Sequence, residues 1–211
     1  MFDLSSKTQV NKHFKLPELY KLIGASKEVK ADTGNVMSVT LTNVLNADTM
    51  NFAASDMVKE IYVFEIVLND RTIPSLFLST LDKAINLHTV FLLRHENQIL
   101  LYGAYKEYGE KNMKIGKYYY TEWTADSLIK LPINVSNLED IYTAIIDELI
   151  PIAARKSEST KDFVVRYDEI QRLQKEIAKL QHAVDIEKQS KRRFNLNAEL
   201  KEIKHKLEEL A

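Results

Sequence analysis

Apolar positions change their period several times along the chain, and each change marks an element. LPELYKLIG (16–24) reads as a short helix, with Pro17 in its first turn and Gly24 able to end it. KEVKADTGN, which follows, is polar and turn-rich. NVMSVTLTNVL (35–45) alternates and is rich in β-branched residues, which predicts a strand, whereas 46–58 has no clear period. EIYVFEIVL (60–68) is the strongest β signal. Ile61, Val63 and Val67 fall on one side with Glu65 interrupting the row, and Tyr62, Phe64, Ile66 and Leu68 fall on the other. A strand apolar on both sides belongs in the middle of its sheet.

In TIPSLFLSTLDKAI (72–85), Leu76, Phe77, Leu81 and Ile85 recur at helical spacing, and Pro74 stands near the start. HTVFLLRHENQILLYGAYKE (88–107) reads as two apolar strands turning at HEN. GKYYYTEW (116–123) adds a strand after the loop YGEKNMKI, and NLEDIYTAIIDELIPIAA (137–154) is an amphipathic helix with Asn137 as its N-cap. The order predicts an α+β fold over residues 1–154: a mainly antiparallel sheet with helices packed on one face.

From about residue 163 the period becomes that of a coiled coil. Ile170, Leu173, Ile177, Leu180 and Val184 are spaced 3-4-3-4, and Leu196, Leu200, Ile203, Leu207 and Leu210 form a second regular series. The two series are out of phase, because Leu180 to Leu196 is 16 residues where two heptads give 14. A shift of two is not a tolerated stutter. Residues 155–211 are therefore either an αα-hairpin that folds back near 188–195, or a continuous helix that turns a new face to another partner. The junction, EKQSKRRFNLNAEL (187–200), holds Lys188, Lys191, Arg192, Arg193 and Phe194.

Composition narrows the function classes. Hydrophobic residues make up 45% of the 211 and charged ones 28%, enough for a core in a soluble protein. The formal net charge of −1 gives no global basic field, although residues 1–154 carry −4 and 155–211 carry +3. The absence of Cys removes disulfides, thiolate metal sites and Cys nucleophiles. With no leader pattern and no apolar run of membrane-spanning length, the expected location is the cytoplasm.

Candidate chemistry is sparse. The five histidines form no ligand motif, the five glycines form no phosphate cradle, and no Ser stands in a nucleophile motif, so no catalytic, metal or cofactor site is expected. Glu65 inside an apolar strand needs a partner. Glu65 with Lys106 of YKE would be the core of a divergent nuclease, but Val67 stands where the restriction-enzyme pattern has its Lys. The plainer reading of Glu65 is a buried Glu–Lys or Glu–Tyr pair, or a charge facing the sheet edge. KYYYTEW, with Tyr102, Tyr105 and Tyr108, can stack bases or bind protein, or simply pair across strands. The four cations at the junction are either a solvated turn or a phosphate-contacting patch.

NKHFKLPELYKLI, EIYVFEIVL with its PxxxLxxLDKAI helix, LLYGAYKE, YYYTEW and EKQSKRRFNLNAELKEIKHKLEEL together resemble a bacterial domain-of-unknown-function family. The resemblance implies a context, since members of that family tend to be encoded beside superfamily-2 helicases and DNA methyltransferases, in restriction or antiphage-defence neighbourhoods. The resemblance carries no catalytic residue. It implies a non-enzymatic accessory or adaptor subunit of a DNA-acting system, without cofactor. The ten heptad residues would pair with a second copy or a helicase-type subunit, and Lys188, Lys191, Arg192 and Arg193 would supply any nucleic-acid contact.

Overall fold

The computed structural model describes residues 4–52, 57–110, 112–125, 135 and 137–210, and part of the unpatterned segment 46–58 falls outside them. Contacts divide the chain into two compact units, Met1–Ala153 and Ala154–Ala211.

The first unit is built on a sheet that has, among the described residues, seven strands. They are β1 (Gln9–Phe14), β2 (Val36–Asn46), β3 (Glu60–Leu68), β4 (His88–His95), β5 (Gln98–Tyr108), β6 (Met113–Tyr120) and β7 (Thr124–Ala125). Strands β1 to β6 lie side by side in chain order, and β7 continues the β6 edge along the start of β5. The β3–β4 pair is parallel and the other pairs are antiparallel. Parallel neighbours need a long crossover, and here α4 (Ser75–Ile85) supplies it.

Helices α1 (Leu16–Leu22), α2 (Lys27–Asp32) and α4 cover one face. Leu19, Val29, Phe77, Leu78 and Leu81 share a core there with Phe64, Ile66, Leu68, Phe91, Leu93, Leu100 and Tyr102. The short α3 (Ala47–Met50) carries a capping box at Asn46. Helix α5 (Leu138–Leu149) lies against the opposite face. Its Leu149 Cδ1 would stand 3.1 Å from a Cβ at Gly103, a residue of opposite parity to Tyr102. The mainly antiparallel sheet with packed helices is as expected, and α5 adds a helix on the face opposite the one expected to be covered. The second helical face follows from β3 and β4 being apolar on both sides, which leaves two surfaces to cover.

Two elements were hidden by their polarity. QVNKHF forms β1, an exposed edge strand, with Asn11 at φ 50° and a register shift between Gln9 and Lys12. A kinked edge carrying Lys resists pairing with other chains. The turn-rich KEVKAD forms α2, because the Ser26 hydroxyl accepts from the Val29 N–H at 3.3 Å and Val29 is buried. The end of α2 then caps α4, since Asp32 Oδ2 accepts from the Phe77 N–H at 2.9 Å. Strand β6 begins at Met113, earlier than its apolar pattern suggests, because the Asn86 side chain accepts from the Met113 N–H at 2.8 Å.

In the second unit, α6 (Thr160–Ile186) and α7 (Ser190–Leu210) pack closely as a hairpin. Of the two geometries left open by the phase slip, the folded-back one is realised. Glu187 leaves the helix at φ −73°, ψ 124°, and the chain restarts as a helix at Ser190. The open end is tied by arginines. Arg166 forks onto Glu158 (Nε–Oε1 2.7 Å, Nη2–Oε2 2.8 Å), and its Nη1 donates to the Leu210 carbonyl at 3.1 Å. Arg155 Nη2 donates to the Glu209 carbonyl at 2.9 Å. Both cations thus satisfy orphan carbonyls at the C-terminus of α7.

Phe91 is fully buried, with ring centroids of Phe64 and Tyr102 at 5.9 and 6.3 Å. Phe91→Ala is expected to destabilise the chain by about 3–5 kcal/mol. Urea denaturation should show this as a lowered midpoint at unchanged slope, and a change under about 1 kcal/mol would contradict a close-packed centre here.

Candidate functional site

Two places concentrate chemistry-bearing groups, one in each unit. The first is a polar cluster where α4, β4, β5, β6 and α5 meet. Strand β5 shifts register against β6 between Ala104 and Lys106. The Tyr142 hydroxyl from α5 fills the gap in the ladder, accepting from the Lys106 N–H at 2.7 Å and donating to the Ala104 carbonyl at 3.0 Å. On the α4 side the Lys106 ammonium makes an ion pair with Asp82 and donates to the Leu87 carbonyl at 2.6 Å. Tyr118 of β6 donates to the other Asp82 oxygen at 2.9 Å. The Lys106 and Asp82 side chains are 0% and 1% exposed, so the pair is closed to solvent.

Burial drives the two partners toward neutrality, pushing the Asp82 carboxyl up and the Lys106 ammonium down, and each partner's charge opposes the shift in the other. The same negative charge, after burial, raises the Tyr102 and Tyr118 phenols. His88, the first residue of β4, is 1% exposed and packs edge-on against Tyr142 (4.4 Å) and Tyr108 (5.6 Å). Its Nδ1 has no protein hydrogen-bond partner. Burial, and then the nearby Lys106 charge, lower its pKa to about 4, while the Lys106 backbone hydrogen bond works the other way.

Glu65 and Lys106 are not brought together. Glu65 forms a half-buried ion pair with Arg94 on the neighbouring strand, Nε to Oε2 2.9 Å. In register Glu65 stands opposite Leu92, and Leu92 opposite Leu101. Lys106 is therefore two strands across and five residues along, roughly 15–20 Å away. Among the described residues no three His, Asp or Glu side chains are grouped to hold a metal ion, and no helix is long and apolar enough to cross a membrane. The aromatic segment is mostly sheet packing: Tyr118 stacks on Tyr102 at 5.2 Å, and Tyr120 stacks near it at 6.4 Å while remaining exposed.

The second place is the turn of the hairpin. Ile170, Leu173, Val184, Leu200 and Ile203 are buried, whereas Ile177, Leu180, Leu196, Leu207 and Leu210 are half-buried. The turn itself, Glu187–Gln189, and the first turn of α7 leave Lys188, Lys191, Arg192 and Arg193 exposed. Two large apolar residues beside them are exposed as well, Ile186 at 62% and Phe194 at 74%. The first turn of α7 holds no acidic residue, the reverse of the charge a helix N-terminus favours.

A family model described as "Domain of unknown function (DUF4391)" matches residues 2–207. The chain belongs to the DUF4391 family. No curated protein and no solved structure matches it. For this DUF4391 chain the site residues therefore stand on geometry alone. Asp82 escaped the sequence reading, which weighed Lys106 only with Glu65, as a nuclease alternative, and His88 only as a metal ligand. A signal for Asp82 was present: it lies four residues after Leu78 and three before Ile85, on the buried face of α4.

Two outcomes test the cluster. Lys106→Met would leave Asp82 without its partner in the core and should destabilise the chain by about 3–5 kcal/mol. Adding Asp82→Leu should recover much of that loss in urea denaturation, and additive losses would rule out a coupled pair. His88 has its pKa depressed in the folded state, so it prefers to be neutral there. Its contribution is complete above the unfolded value of 6.5 and disappears as pH falls toward about 4. The wild type should lose roughly 3 kcal/mol through this group over that window, and His88→Phe should flatten that part of the stability profile.

Proposed function

We propose that this DUF4391 chain is a non-enzymatic adaptor in a bacterial DNA-acting system of the restriction or antiphage-defence kind, working in the cytoplasm. The observation that carries the reading is the hairpin turn, where four exposed cations stand beside two exposed apolar side chains. A hairpin that only had to fold would keep Phe194 and Ile186 inside or replace them with polar residues. The cluster around Lys106 supports the same reading from the other side, because its charged groups are sealed and satisfied by one another instead of facing a substrate.

Assembly would use the helices. Ile177, Leu180, Leu196, Leu207 and Leu210 keep part of their surface exposed after α6 and α7 have packed, and Val165 is 61% exposed. That apolar surface suits a second copy or a helicase-type subunit, and light scattering of the purified chain separates the two. A mass above 24.4 kDa for the chain alone indicates self-assembly. A monomer points to a hetero-partner.

The nucleic-acid arm has its own outcome. Four phosphate contacts predict a slope of log affinity on log salt of about −3 to −4 for duplex DNA. Changing Lys188, Lys191, Arg192 and Arg193 together to Gln should bring that slope near zero in fluorescence anisotropy titrations. An unchanged slope would remove the turn from nucleic-acid binding.

A further inference from the structure

We infer that the hairpin turn takes single-stranded nucleic acid, with Phe194 stacking on a base while the cations around it hold the neighbouring phosphates. The inference rests on the nucleic-acid contact proposed above and names its substrate class. Phe194 is the most exposed large apolar side chain among the described residues, at 74%. On α7 it lies three residues after Lys191 and so shares a face with it, with Arg192 and Arg193 immediately before it. Residues 185–194 carry a net charge of +2 despite Asp185 and Glu187, and the positive end of the α7 dipole adds to the same sign.

The combination separates strand types. Cations alone do not select a single strand, because a duplex presents the same phosphates at higher charge density. An aromatic ring contributes only where a base face is free, which a single strand offers and an intact duplex does not. A protein groove would satisfy Phe194 and Ile186 but has no need of three consecutive cations at a helix start, where they oppose the dipole. Acidic phosphates answer both the charge and its position.

Anisotropy titrations of the full chain with a labelled single-stranded oligonucleotide, and with the duplex of the same sequence, test this at fixed salt. Phe194→Ala and Phe194→Leu should each weaken single-strand binding by about 5- to 100-fold. Phe194→Trp should retain it, and duplex affinity should move less than about 2-fold in all three. Because the side chain is exposed, circular dichroism should show unchanged helix content. Loss of both affinities together, or of neither, would overturn stacking while leaving the nucleic-acid contact in place. Wild-type affinity in Phe194→Leu with loss in Phe194→Ala would overturn it in favour of an apolar protein groove. A wild type that binds neither strand would overturn both this inference and the reading beneath it.

Discussion

The ion pair between Lys106 and Asp82 is the constraint around which the sheet unit is arranged. A sealed pair of charges is stable only when both partners, and their remaining hydrogen-bonding groups, are satisfied. Here that requires α4 to bring Asp82, the turn before β4 to present the Leu87 carbonyl, and β6 to bring the Tyr118 hydroxyl. From the opposite face α5 must bring Tyr142 to the backbone of the same lysine. Four elements are thus tied to β5 through one residue. A slip of β5 by one position would turn Lys106 to the α5 face and Tyr105 to the α4 face, stranding Asp82 in the core. The pair therefore selects register more than it adds net stability.

What could be read from the chain alone follows the same physics. β3, the β4–β5 hairpin, α4 and α5 were legible because each buries a periodic apolar row. β1 and α2 were not, because what makes them is backbone pairing and a serine cap on otherwise polar segments. The sequence pointed to Lys106, a lone cation closing an apolar strand. Its partner was missed because Asp82 stands next to Lys83 and reads locally as part of a solvated helical turn. Pairing across a sheet is a long-range fact, and a strand-to-strand partner such as Glu65 is the nearer guess. Glu65 instead took Arg94, its diagonal neighbour on the adjacent parallel strand.

The same limit applied to the C-terminal helices. Two heptad series out of phase by two residues show that one continuous seam is impossible, yet they do not say where the chain goes. The hairpin resolves the slip by ending α6 at Glu187, so that each series runs along its own helix and phase no longer has to be carried through. Its free end is then closed by Arg155 and Arg166, whose donors reach the last carbonyls of α7. None of these tertiary bonds leaves a periodic trace.

Two groups of charges among the described residues contrast with one another. Asp82, Lys106, Glu158 and Arg166 have partners at hydrogen-bonding distance, and their placement is explained by the fold they hold. The cations of the hairpin turn are explained by no such role. They oppose the helix dipole, lie exposed, and flank an aromatic ring that folding would have buried. Local rules broken without structural compensation are expected where a chain meets something else. In the sheet unit the Lys106–Asp82 pair holds shape, whereas the charge of the hairpin turn is the basis on which we propose a partner whose own charge is negative.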